Sequence, residues 1–165
     1  MHEYRTRRRI EFSDTDAGGI AHFSRFFVFM EIAEHELLRA LGVDPGAGQW
    51  GDGRLVGWPR VAASCEFLSP VRFGDEIDIH LQVLRVGRTS LTFGFALSHA
   101  GMPVALGRTT SVCAVLDAPE GIQPIPIPAA LRAQLEAVPE AAPSEGEDEG
   151  EVSDAGAARA ARDGS

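Results

Sequence analysis

Phe23, Phe26, Phe27, Met30, Ala33, Leu37, Leu38 and Leu41 recur at steps of three and four along one uninterrupted stretch. That spacing lines one face of an α-helix, because 3.6 residues complete a turn. Ser24 is positioned to cap its start, and Gly42 followed by Pro45 supplies a stop. The opposite face carries Val28 and Ile32 among Arg25, Glu31, His35, Glu36 and Arg39, so cover on more than one side is expected. A helix this apolar needs a broad partner surface.

Strands supply that surface. Residues 2–12 alternate loosely, with Tyr4, Ile10 and Phe12 among Arg5, Arg7, Arg8 and Arg9, as a half-exposed strand would. After a glycine-rich loop, residues 55–67, 76–86, 90–100 and 104–116 are rich in β-branched and aromatic side chains. The segments SPVRFGD, RVGR and HAGMP between them each hold a turn former, and such short connections predict an antiparallel meander. A short helix is expected over residues 128–138. The class is therefore α+β, with a curved sheet of about five strands wrapped around one long helix.

The chain has 165 residues, enough for one hydrophobic core. Residues 1–138 are expected to form the single domain. Residues 139–165 hold eight acids against Arg159 and Arg162, with one valine as the only large apolar side chain. Such a tail buries too little to offset its ordering entropy, so disorder is expected there. It carries −6 of the net charge of −9, which leaves the folded part nearly balanced and gives no electrostatic case for nucleic acid or an anionic membrane. No lysine is present, which excludes Schiff-base and Walker-type lysine chemistry. Cys65 and Cys113 lie in apolar runs and read as free thiols of a reducing compartment. No apolar run reaches the roughly 20 residues of a membrane span, and the N-terminus lacks a signal core, so a cytoplasmic location is expected.

Several motifs resemble catalytic signatures without their context. GAGQWG, residues 46–51, matches the dinucleotide fingerprint by letter, but a helix precedes it and a strand follows, the reverse of what pyrophosphate binding requires. Asp14 and Asp16 form a D-x-D without the parallel α/β framework of metal-dependent transferases, so no metal is expected.

Two longer stretches carry a family resemblance. DTDAGGIAHFSRFFVFMEIAEHELL and CEFLSPVRFGDEIDI resemble the hotdog-fold acyl-CoA thioesterases of the 4-hydroxybenzoyl-CoA thioesterase and YbgC type, over roughly residues 4–131. The resemblance implies hydrolysis of an acyl-CoA to a free acid and CoA, with no cofactor, in a homodimer or homotetramer whose sites lie at subunit interfaces. It makes Asp16 the nucleophile or general base, and Gly18 and Gly19 the tight turn behind it. The backbone N–H of Phe23 would polarise the thioester carbonyl, with Glu31 a lesser acidic candidate. Arg88, Thr89 and Ser90 would meet the CoA phosphates and pantetheine, and His22, standing where an aromatic residue is common, would contact substrate.

Elementary chemistry agrees with these roles. A helix N-terminus exposes unpaired N–H groups and a positive dipole end, suited to the oxyanion that forms on an attacked thioester. Seven residues and two glycines separate Asp16 from Phe23, enough chain to fold the carboxylate back toward that carbonyl. The rival readings are a hotdog-fold hydratase or dehydratase, and a non-catalytic acyl-thioester binding module using the acidic tail.

Overall fold

The computed structural model describes residues 2–43, 49–50 and 53–135. Strand β1 (Glu3–Arg9) leads through a 3₁₀ turn, Phe12–Asp14, to helix α1 (Phe23–Ala40). Seven short and long strands follow: β2 (Gln49–Trp50), β3 (Arg54–Gly57), β4 (Arg60–Phe67), β5 (Glu76–Val86), β6 (Ser90–His99), β7 (Met102–Val112) and β8 (Ala114–Val115). Strand β9 (Gln123–Pro124) and helix α2 (Ala129–Gln134) complete the described chain. The acidic residues 139–165, the last residues expected of α2, and the GAGQWG segment apart from β2 lie outside the described residues.

The main sheet is antiparallel, in the order β1-β5-β6-β7-β4. Alternation decides its faces. Ile77, Ile79, Leu81 and Val83 of β5, with Leu91, Phe93, Phe95 and Leu97 of β6, turn inward and are buried in one cluster with Phe26, Met30, Ala33 and Leu37 of α1. On β7, a Cβ on Gly107 would overlap the Met30 Sδ, so the helix side chain occupies the space that this glycine leaves. The expected curved sheet around one long helix is present.

Five details depart from the sequence reading, one being that residues 104–116 divide at Cys113, with β7 in the main sheet and β8 in a smaller one. Residues 55–67 are not one strand: Trp58 and Pro59 divide them, and β3 leaves the main sheet to join β2, β8 and β9 in a smaller one. Proline lacks the N–H a continuous ladder would use, and the Pro59 carbonyl instead accepts from the Val112 N–H at 3.0 Å. The meander covers β5, β6 and β7 only, since β4 pairs with β7 and the chain then crosses the end of the sheet to reach β5. The N-cap is His22, whose Nδ1 accepts from the Ser24 N–H, so Ser24 lies inside the helix. Phe23, expected in the core, is exposed at the helix start.

The stop at Gly42 is as expected. Gly42 has φ +78°, and the Gly42 and Val43 N–H groups donate back to the Arg39 and Leu38 carbonyls at 2.9 Å each. These two bonds form a Schellman ending, which needs a left-handed residue at the turn. Cys65 and Cys113 are free thiols, and burial pushes Cys113 up to about 11. A thiol held protonated in this way is a poor nucleophile.

Candidate active site

The loop between the 3₁₀ turn and α1 is built by its two aspartates, which do different work. Asp14 is buried, receives the Arg25 Nε at 2.6 Å and the Glu11 N–H at 2.9 Å, and its carbonyl accepts from the His22 N–H. It fixes the entry into the helix. Asp16 is exposed, and its Oδ1 accepts from the Gly18 N–H at 2.7 Å while its backbone brackets the turn through Ile20 and Gly19. Among the described residues Oδ2 has no hydrogen-bond partner.

Both glycines are required by that turn. A Cβ on Gly18 would stand 3.0 Å from the Asp16 Oδ1, and Gly19 holds φ +72°, which side-chain-bearing residues rarely adopt. The Ala21 N–H then bonds to the Val71 carbonyl at 2.8 Å, tying the loop to the crossover that follows β4.

Asp16 and Phe23 border one cavity of about 350 Å³, with Phe26, Phe67, Leu68 and Pro70 among its walls. Its other polar side chain is Ser69. Phe23 is the first residue of α1, and among the described residues its N–H has no hydrogen-bond partner. The arrangement thus sets a carboxylate and a free helix-end donor around an apolar hole. It can seat an apolar acyl group, stabilise negative charge on a carbonyl oxygen at the helix end, and deliver a base or nucleophile from the turn.

The remaining expected residues are not gathered here within one chain. His22 caps the helix, with its ring 4.4 Å from that of Phe23, and does not border the cavity. Glu31 lies eight residues into α1, about 12 Å along its axis, with its carboxylate 3.9 Å from the Arg60 guanidinium. Arg88, Thr89 and Ser90 occupy the β5–β6 turn, tied to the C-terminal segment through bonds from Ile127 and Cys113 to the Arg88 and Thr89 carbonyls. That turn is at the far end of the sheet: Leu97 pairs beside the cavity end and Ser90 is seven residues away, about 23 Å of strand.

Sequence reading missed the buried acid of α1. Glu34 is 3% exposed, and its carboxylate receives the Arg60 guanidinium at 2.7 Å, the Ser111 hydroxyl at 3.1 Å and the Thr109 hydroxyl at 3.3 Å. Burial pushes its pKa up, against the pull of Arg60 and the two hydroxyls. It also missed Phe67, Leu68 and Ser69 as cavity walls, although the SPV run after β4 marks a crossover. The Asp16 turn and the helix start were legible because they are contiguous in sequence.

Comparison with known proteins places the chain in a family. The family model described as the thioesterase-like superfamily matches residues 10–135. A 1,4-dihydroxy-2-naphthoyl-CoA hydrolase of Synechococcus elongatus is 31% identical over 113 residues, covering 68% of this chain and 82% of that protein. The enzyme of the same name from Thermosynechococcus vestitus is 32% identical over 129 residues, 77% and 87% of the two chains. Among solved structures, a gentisyl-coenzyme A thioesterase superposes with a TM-score of 0.69 at 27% identity, covering 78% of this chain and 99% of that one. The 4-hydroxybenzoyl-CoA thioesterase of Pseudomonas sp. strain CBS-3, at 21% identity and TM-score 0.72 over 81% and 99% of the chains, shares the hotdog fold. With a matched family model spanning most of its length and the helix-end cavity in place, the chain belongs to the thioesterase-like superfamily and is a hotdog-fold thioester hydrolase.

Proposed function

We propose that the chain hydrolyses aryl-CoA thioesters, with Asp16 and the Phe23 N–H performing the chemistry. The observation that carries this reading is the shared cavity, which places an unbonded carboxylate oxygen and an unpaired helix N-terminal donor beside walls of Phe23, Phe26 and Phe67. Flat aromatic walls suit a flat acyl group, and the named relatives act on aromatic acyl-CoAs.

In the reaction the thioester oxygen receives the Phe23 N–H as charge develops on it, at the positive end of an 18-residue helix. The Asp16 Oδ2 serves either route open to a carboxylate. It takes a proton from water as the hydroxyl oxygen bonds to the carbonyl carbon, or it bonds to that carbon itself and gives an anhydride that water opens. In both, the C–S bond breaks and CoA leaves as the thiol after protonation. No step calls on a metal or an organic cofactor.

A second copy of the chain is part of the proposal. Strand β4 is a sheet edge that exposes Val61, Ala62, Ala63 and Phe67, apolar side chains set between the charged Arg60 and Glu66, and no described strand of the same chain pairs with its outer side. Antiparallel pairing of two β4 edges reverses the sheet across the two-fold axis. It would carry the partner's β5–β6 turn toward the cavity end and so bring Arg88, Thr89 and Ser90 nearer to a bound thioester. Two such dimers would make a tetramer. No helix among the described residues is long and apolar enough to cross a membrane, and the two free thiols fit a cytoplasmic site of action.

The test is thiol release from aromatic, short-chain and long-chain acyl-CoAs by the native protein and Asp16→Asn. We expect fastest turnover of the aromatic esters and a loss of at least about 100-fold in kcat in the near-isosteric variant, the scale on which a reacting group acts. Undiminished turnover in the variant would remove Asp16 from the chemistry and make Glu31 the next acid to replace. Tight CoA-ester binding without turnover would favour the binding-module reading, and reversible hydration of an enoyl-CoA the hydratase.

A further inference from the structure

Beside Asp16, the cavity holds one further polar side chain. Ser69 is half-buried among its walls, and among the described residues its hydroxyl has no hydrogen-bond partner. Its backbone, by contrast, is fastened. The Leu68 and Ser69 N–H groups both donate to the Val104 carbonyl, at 2.9 and 3.2 Å, and Pro70 follows with its φ fixed by the ring. A serine hydroxyl turns about one bond to meet what lies in reach. A fastened serine that lines a cavity without a partner of its own is a ready donor for a bound group.

The backbone pairing around the helix start shows which part of a substrate that is. Three short segments run side by side there, with residues 20–21 in the middle. On one flank they join the Asp16 turn, through the Asp16 N–H on the Ile20 carbonyl and an antiparallel bridge between Thr15 and Ala21. On the other they join residues 71–72, through the Ala21 N–H on the Val71 carbonyl and an antiparallel bridge between Ile20 and Arg72. The two flanks are two strand spacings, or about 10 Å, apart at the backbone. From the middle segment the chain reaches Phe23 two residues after Ala21, and the antiparallel partner runs the same way from Val71 to Ser69. Asp16, Phe23 and Ser69 all line the one cavity.

A thioester whose oxygen meets the Phe23 N–H thus has the carboxylate on one flank and the hydroxyl on the other. The helix end supplies one N–H, and an oxyanion has lone pairs for more than one donor. We propose that Ser69 is a second catalytic donor, its Oγ–H hydrogen-bonded to the thioester oxygen as negative charge develops on it. Ser69 keeps its proton throughout. The bond that forms is still that of the Asp16 carboxylate or of water to the carbonyl carbon, and the bond that breaks is still C–S. Set between Leu68 and Pro70 in an apolar wall, the hydroxyl acts where little water competes for the same oxygen.

The proposal rests on the thioester-hydrolase reading, so one of its two readouts needs no turnover. Steady-state hydrolysis of benzoyl-CoA is measured for the full-length native chain, Ser69→Ala and Ser69→Thr. The carbonyl stretch of bound benzoyl-CoA is recorded on Asp16→Asn and on the double variant Asp16→Asn with Ser69→Ala. We expect Ser69→Ala to lose at least about tenfold in kcat with KM nearly unchanged, and Ser69→Thr, which keeps a hydroxyl, to recover most of that loss. The bound carbonyl band should lie below that of the free ester on Asp16→Asn and move back up when Ser69 is also replaced. Full activity in Ser69→Ala overturns the assignment, as does a loss confined to KM, or a loss that Ser69→Thr does not relieve and that leaves the band in place. A band that depends on Ser69, with no thiol released by the native chain, would keep the contact and defeat the hydrolase reading instead.

Discussion

At the scale of single residues, the acids divide by what surrounds them. Asp14 is consumed by structure and Asp16 is left free by it, although they stand two positions apart. Glu34 is the third case, a carboxylate removed from water but given an arginine and two hydroxyls. Burial outweighs those partners and raises its pKa, so between the ordinary glutamate range and the raised value the folded state holds a proton that the unfolded chain has released. Stability from this group is then fully present below the ordinary value and is lost as pH rises through the raised one. Glu34→Gln removes that dependence. Urea unfolding over a pH series that starts in the ordinary glutamate range and rises from there should show the native protein losing stability relative to the variant as pH rises. A relative gain with rising pH would mean that the arginine, not burial, sets the balance.

At the scale of elements, the packing of α1 on the sheet includes one place where a missing side chain matters. Gly107 of β7 leaves the space that Met30 of α1 fills, and a methyl group there would overlap the Sδ. Gly107→Ala should destabilise by about 1 to 3 kcal/mol through overpacking, read by urea unfolding. Shortening the neighbour, in Gly107→Ala with Met30→Ala, should give a double variant less unstable than the sum of the singles, because the first clash is gone. The same level shows what the sequence made legible. The bounds of β5 follow from the strict alternation of EIDIHLQV after a Gly-Asp turn, and α1 follows from its period and its Gly42 stop. By contrast β4 reads VAASCEF, without clean alternation, and its exposure results from its place at a sheet edge, which is a property of the topology. Residue contacts that join distant segments, such as Arg60 to Glu34 or Phe12 to Phe73, have no local signature. For the same reason Arg88, Thr89 and Ser90 are recognisable by motif, yet only the folded sheet shows them at the end opposite to Asp16.

At the scale of the whole molecule, that separation turns on the unpaired edge. A monomer would leave β4 as an open template with Val61 61% and Phe67 48% exposed, and Phe67 is also a cavity wall. Antiparallel self-pairing centred on Ala63 sets Arg60 of one chain opposite Glu66 of the other, opposite charges at each end of an apolar row. Covering this edge would complete the wall around Phe67 as well as the sheet. Val61→Asp places a charge within that row, where pairing would strip its water, while in a monomer the site stays solvated. The variant should shift sedimentation from dimer toward monomer, keep its circular dichroism, and lose about tenfold or more in kcat/KM for an aromatic acyl-CoA, a drop worth about 1.4 kcal/mol of transition-state stabilisation. Dissociation with full activity would show that one chain suffices for catalysis and would exclude any part for the partner's β5–β6 turn. A native protein that sediments as a monomer would remove the β4 pairing itself and leave the Asp16 cavity bounded as it stands in a single chain.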